Sequence, residues 1–123
     1  GFLQEFPELD FYAQNQAEAR RWLAGKPALA GAELPAFLEG FPPIGCREIA
    51  WEGRRGALVC FMMDGEVMHV FLIPGADWEG LGSGAPRFEK VANHQAAAWR
   101  TGDLACVVLT RATEEFLRKH ALL

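Results

Sequence analysis

Four residues near the middle of the chain have the chemistry from which a metal or redox site is built. They are Cys46, Glu48, Cys60 and His69. Thiolate, imidazole and carboxylate groups are ligands for zinc and copper, and two thiols at the right separation form a disulfide. Their spacing follows neither a C-x-x-C nor an H-x-x-x-H pattern, so the fold would have to assemble the site. The segments that carry these residues therefore decide what they can do together.

Three apolar segments around these residues predict an antiparallel meander. Residues 44–51 and 57–63 are joined by a polar turn with two glycines, and an Asp-Gly pair at 64–65 separates the second segment from residues 66–73. Asp-Gly between apolar runs is a strong hairpin signal, because both turn residues need positive φ. The segments therefore read as three consecutive strands.

The expected register brings the four side chains onto one face of this meander. A two-residue Asp-Gly turn places Cys60 opposite His69. For the first hairpin, we expect the register that keeps Ile49 on the apolar face, and it sets Glu48 opposite Cys60. Cys46 then lies diagonal to Cys60, within about 7–8 Å at the backbone.

Three interpretations of this patch stay open on sequence grounds. In the first, the cysteines are small core residues and His69 is a satisfied, half-buried side chain. In the second, Cys46 and Cys60 form a disulfide, which a diagonal pair reaches only with a register shift or a bulge. In the third, Cys46, Cys60, His69 and Glu48 bind a transition metal such as zinc or copper.

The flanking segments predict helices at both ends of the chain. Residues 10–25 are rich in good helix formers and end at Gly25, two residues before a proline. Residues 32–41 suggest a second short helical turn. Residues 112–121 predict a closing helix, with Thr110 or Thr113 as its cap.

Two further segments, 91–99 and 104–110, predict a second hairpin. The expected fold is therefore α+β: one domain with a mostly antiparallel sheet of about five strands and helices at both termini. In this arrangement residues 1–43 form a helical segment and linker that pack on the sheet of residues 44–123.

Composition limits the classes of function. A chain of 123 residues that is 50% hydrophobic is long enough for one packed domain and too apolar for intrinsic disorder. Its net charge of −4 argues against direct nucleic-acid binding. Ser83, His94 and Asp103 have the types of a catalytic triad, but Ser83 lacks the G-x-S-x-G context. We therefore expect a protein that is not an enzyme.

Three residues are candidates for contact with a protein partner. Trp78 lies in a glycine-rich loop, where an aromatic side chain suits an interface. Arg54 and Arg55 lie at the turn of the first hairpin, interspersed with acidic residues, which favours a solvated surface.

Four short segments together resemble a family of bacterial single-pass membrane proteins. They are residues 44–47 (IGCR), 51–54 (WEGR), 58–61 (LVCF) and 69–71 (HVF). The family is that of the anti-sigma-factor-like transmembrane regulators, most of them uncharacterised, whose C-terminal domains show a GCR…W.G…CF…HLF pattern. The segments from residue 96 onward are similar to the second hairpin and closing helix of that family.

The resemblance implies a place and a role. The chain would be a domain on the periplasmic side of the bacterial inner membrane, tethered by a membrane helix upstream of Gly1, where a Cys46–Cys60 disulfide can persist. It would act as a non-catalytic sensory or protein-interaction domain whose partner is a protein of the cell envelope. A metal- or redox-responsive domain and a small ligand-binding domain with its pocket under residues 75–87 are the alternatives.

Overall fold

The chain folds around one antiparallel sheet. The structure, which is a computed structural model, describes residues 9–29, 34–51, 53–75, 86–101 and 103–121. Within them the sheet has seven strands, and two short α-helices accompany it in a single α+β domain. The fold class agrees with the prediction. The expected strand number of about five is too low, because the two-residue β1 lies within the segment predicted as a helix and β5 is mostly charged.

The element bounds follow the chain in a simple order. They are β1 Phe11–Tyr12, α1 Gln16–Ala24, β2 Pro43–Trp51, β3 Arg54–Met63, β4 Glu66–Pro74, β5 Arg87–Val91, β6 His94–Thr101, β7 Leu104–Thr110 and α2 Glu114–Ala121, with 3₁₀ turns at Pro27–Leu29 and Ala36–Gly40. The strand order across the sheet is β1-β2-β3-β4-β7-β6-β5. Two meanders therefore meet where β4 pairs with β7.

Capping side chains set where both helices begin. Asn15 Oδ1 accepts a hydrogen bond from the Glu18 backbone N–H at 2.9 Å, which starts α1 later than the predicted residue 10. Thr113 Oγ1 accepts from the Phe116 N–H at 3.1 Å, so Thr113 caps α2, one of the two caps expected. The turn predicted over residues 32–41 is the 3₁₀ turn at Ala36–Gly40.

The second hairpin of the first meander agrees with the prediction. Asp64 and Gly65 form its turn with φ of 48° and 86°, which is the positive-φ pair that an Asp-Gly turn requires. Met63 pairs with Glu66, and further along the ladder Cys60 pairs with His69.

The register of the first hairpin differs from the prediction. β3 begins at Arg54 rather than at residue 57, and Trp51 pairs with Arg54 across a two-residue turn. Cys60 therefore lies opposite Gly45 instead of Glu48. The difference between positions 48 and 45 is three residues, and an odd shift exchanges the two faces of a strand. The predicted patch on one face is therefore wrong: Cys46 and Glu48 lie on the face opposite Cys60.

Each face of the sheet has its own apolar cluster. The α face packs against both helices and the 3₁₀ turns; its buried residues include Cys46, Val59, Phe61, Val70 and Val108, covered by Leu23, Leu38 and Leu117. The Cys60 face is the opposite one, and its cluster contains Leu58, Cys60, Val67, Ile73 and Ala105, with Leu9 packed against it. Side chains at the centre of either face are therefore shielded from solvent.

Gly45 fixes how β1 lies against β2. A Cβ atom on Gly45 would overlap the Phe11 carbonyl oxygen and come within 2.8 Å of Leu9 Cδ1. The absence of a side chain at this position therefore allows the edge strand to pair closely.

We expect Gly45→Ala to destabilise the fold by about 1–3 kcal/mol, because the added methyl group forces β1 away from β2. Gly40→Ala is the matched control, since nothing lies within 4 Å of its Cβ position, and it should change stability by no more than about 0.5 kcal/mol. Urea unfolding measures both variants. Equal stability of the two variants would contradict the close approach.

Candidate functional site

Cys60 and His69 form a close pair of chemistry-bearing side chains on the Cys60 face. They lie directly opposite each other on β3 and β4, and Cys60 Sγ is 3.4 Å from His69 Nδ1. Each residue is only 1% exposed. The sequence predicted this pair correctly, because the Asp-Gly turn sets its register.

His94 completes a three-residue cluster that we call the imidazole cluster: Cys60, His69 and His94. The rings of His69 and His94 have centroids 6.4 Å apart and are tilted by 47°, although β7 lies between their strands. His94 is 3% exposed, and its Nδ1 is 2.9 Å from Asn93 Oδ1. Because an amide oxygen only accepts, Nδ1 of His94 donates, which leaves Nε2 without a proton in the neutral ring.

Sequence reasoning missed the place of His94. In the sequence, His94 was considered only as a member of a catalytic triad with Ser83 and Asp103, which the context of Ser83 did not support. No local signal sets β4 beside β7, so nothing in the sequence indicated that residues 69 and 94 would approach each other.

Burial keeps the imidazole cluster uncharged. Desolvation raises the pKa of the Cys60 thiol to about 12, with a smaller contribution from Cys46. Desolvation, with a smaller contribution from the nearby His94, lowers the pKa of His69 to about 4. The pKa of His94 is lowered by burial and by Arg111, while Glu66 opposes that shift. Near pH 7 the cluster therefore consists of a thiol and two neutral imidazoles.

A neutral cluster of this kind has limited chemistry. The thiolate is the nucleophilic and metal-binding form of cysteine, and burial also raises the pKa of Cys46 and Cys106 to about 12. All three cysteines are free. Among the described residues, no group of three or more His, Cys, Asp or Glu side chains is placed to hold a metal ion.

Cys46 and Glu48 have different surroundings from those predicted. Cys46 is buried on the α face opposite Val59, so the strand itself separates it from the Cys60 side chain. Glu48 lies near the sheet margin, where its Oε1 accepts a hydrogen bond from Arg55 Nη1 at 3.1 Å. The four predicted ligands do not come together, and a metal or redox role for any one of them stays a prediction.

The candidates for partner contact lie apart from the imidazole cluster. Arg54 and Arg55 are exposed at the start of β3. Arg54 Nη1 is 2.9 Å from the position that a Cβ on Gly75 would occupy, so it lies near the end of β4. Trp78 falls outside the described residues.

The last strand of the sheet, β5, presents an ordered outer edge. Arg87, Glu89, Lys90 and Val91 are exposed, with Val91 at 40%. Phe88 is fixed from the other side, because the Arg118 guanidinium lies 4.1 Å from its ring centroid. Arg118 Nε also donates to Glu114 Oε2 at 2.8 Å, so α2 buttresses the strand.

The hairpin between β5 and β6 determines which peptide groups face outward. Val91 pairs with His94 across a two-residue turn, and the closing pair of such a turn exchanges both of its hydrogen bonds. Because bonded and non-bonded pairs alternate in an antiparallel ladder, Arg87 and Glu89 also bond to β6. The N–H and C=O groups of Phe88 and Lys90 then point away from the sheet.

Comparisons with known proteins give no match to a protein-family model, a curated protein or a solved structure. Within the described ranges, no helix has the length and apolar character needed to cross a bilayer.

We expect the three thiols of the folded protein to resist a thiolate-specific reagent at neutral pH, because burial keeps them protonated. An aromatic disulfide reagent, followed by absorbance, should label fewer than one thiol in minutes before unfolding. Three thiols should react in denaturant without reductant, since all three cysteines are free. One reactive thiol under those conditions would instead reveal a disulfide, and fast labelling of the folded chain would contradict the burial.

Proposed function

We propose that this chain is a non-catalytic sensory or protein-interaction domain of an anti-sigma-factor-like membrane-anchored regulator. It acts on the periplasmic side of the bacterial inner membrane and binds a protein of the cell envelope. The sequence resemblance supports the location and the kind of regulator. The outward edge of β5 is the observation that carries the interaction.

An edge strand binds an extended segment of a partner by continuing the sheet. The main-chain groups supply hydrogen bonds, and side chains at alternate positions select the sequence. Phe88 and Lys90 direct their peptide groups outward, while Arg87 and Glu89 place opposite charges on the same side of the strand. Val91 adds an exposed apolar side chain. The edge therefore favours a partner strand with complementary charges.

Because β5 is already ordered, it loses little conformational entropy when a partner strand binds. Phe88 is clamped by Arg118, and the strand is already hydrogen-bonded to β6. A preorganised strand loses less freedom on binding than a flexible segment does.

One contact favours the alternative of a metal- or redox-responsive domain. Cys60 Sγ and His69 Nδ1 are 3.4 Å apart, a separation that two ligands of one ion can adopt. At neutral pH the Cys60 thiol is protonated, which disfavours a metal site, because metal binding requires the thiolate. The third alternative, a ligand pocket under residues 75–87, depends on residues 76–85, which lie outside the described ranges.

We expect Lys90→Pro to abolish partner binding, because proline removes the outward N–H at position 90 and blocks strand addition. A photo-crosslinking amino acid at Val91, in the natural full-length protein in cells, reports the contact as a covalent adduct. The adduct should form in the parent and fall at least tenfold with Lys90→Pro.

Lys90→Ala is the matched control, since it removes the charge but keeps the N–H, and it should retain the adduct. Circular dichroism must show the same fold for both variants. An adduct that survives Lys90→Pro, or the absence of any adduct in the parent, would contradict strand addition at β5.

A further inference from the structure

We propose that the imidazole cluster is a proton-responsive latch: acidification charges its histidines and opens the Cys60 face of the sheet. The proposal names an input signal for the sensory role given above. The biological role of the latch rests on the proposed sensory function. The opening itself is a property of the sheet and requires no partner at β5.

The geometry supplies the reason for opening. His69 and His94 are nearly inaccessible to water and their ring centroids are 6.4 Å apart. One proton on either ring places a charge in apolar surroundings, which is costly without a counter-charge. A proton on each ring adds repulsion between like charges at short range.

His69 is the more sensitive of the two rings. From β3 it meets the Cys60 thiol, from β7 the apolar Leu109 lies opposite it, and from β6 it meets His94. A thiol sulfur is a weak acceptor, so it stabilises an imidazolium poorly. None of these described neighbours is an anion.

Two charges of opposite sign act on His94, and the arginine has the larger effect. Arg111 opposes a proton on His94 and Glu66 favours one, while Asn93 Oδ1 accepts from Nδ1 in either state. His94 therefore modulates the pH at which the Cys60 face opens, and His69 determines that the opening occurs on acidification.

Linkage gives the sign and the size of the response. The folded-state pKa of His69, about 4, lies below the ordinary value of 6.5. The stabilising contribution of the neutral ring is therefore complete above pH 6.5 and is lost as the pH falls toward 4. Over that window the ratio of open to closed molecules rises about tenfold per pH unit for one histidine.

The packing indicates what the latch releases. Cys60 contacts His69 and belongs to the apolar cluster against which Leu9 packs. Asp10 follows directly, and its N–H donates to the Cys46 carbonyl at 2.9 Å. Loosening at His69 therefore passes through Cys60 to the packing of Leu9 and to the Asp10–Cys46 hydrogen bond.

Site-resolved thiol labelling tests the latch, because the chain carries its own controls. Cys60 lies on the Cys60 face, whereas Cys46 and Cys106 belong to the α-face cluster. A dithiodipyridine reagent reacts with thiols in acid, and mass spectrometry assigns each labelled residue. Rates are divided by those of the unfolded chain at the same pH, so that they report the population of open molecules.

Between pH 6.5 and 5, we expect labelling of Cys60 to rise about tenfold per pH unit, ahead of Cys46 and Cys106. His69→Asn keeps an acceptor near Cys60 but takes up no proton, and it should flatten the rise. A parallel rise at all three cysteines would show global acid unfolding and overturn the latch. A Cys60 rate that does not change with pH, or a full response in folded His69→Asn, would also overturn it.

If His69→Asn does not fold, the comparison among the three cysteines of the parent chain decides the question alone. The result is independent of strand addition, because Lys90→Pro should leave the pH response of Cys60 unchanged. A latch that fails in a chain whose β5 crosslink persists would remove the proposed signal and leave the proposed interaction standing.

Discussion

The pairing of β4 with β7 is the constraint on which the rest of the structure depends. It joins two meanders over the ladder from Met68 opposite Thr110 to Pro74 opposite Leu104. It places β7 between His69 and His94 and so brings their rings together, although the residues are 25 positions apart (69 to 94). It also sends β5 to the far margin of the sheet. Both candidate sites are consequences of this one pairing.

Burial then decides which chemistry the assembled side chains can perform. A cysteine beside a histidine is the usual arrangement of an activated nucleophile when an ion pair forms. Here desolvation acts on both partners in the opposite sense, raising the pKa of Cys60 and lowering that of His69. The pair is therefore inert at neutral pH and sensitive to acid. The same residue types in a solvated cleft would have favoured the metal or redox interpretation.

The parts of the fold that the sequence could predict are those set by short-range physics. The Asp-Gly turn gave the correct pairing of Cys60 with His69, and Thr113 was one of the expected caps of α2. The first hairpin was wrong because its two-residue turn was interpreted as a longer one. β5 was missed because three of its five residues are charged, as is common on an exposed edge strand. The meeting of His69 and His94 is non-local, and no turn or periodicity encodes it.

The central claim is that the fold holds the His69 ring neutral beside His94, and an NMR titration of the imidazole resonances tests it most directly. We expect the His69 ring to stay neutral from pH 7 down to about 5, with a midpoint near 4, and to show a cross-relaxation peak to the His94 ring. A midpoint at or above the ordinary 6.5, or the absence of that peak in the folded protein, would contradict the account.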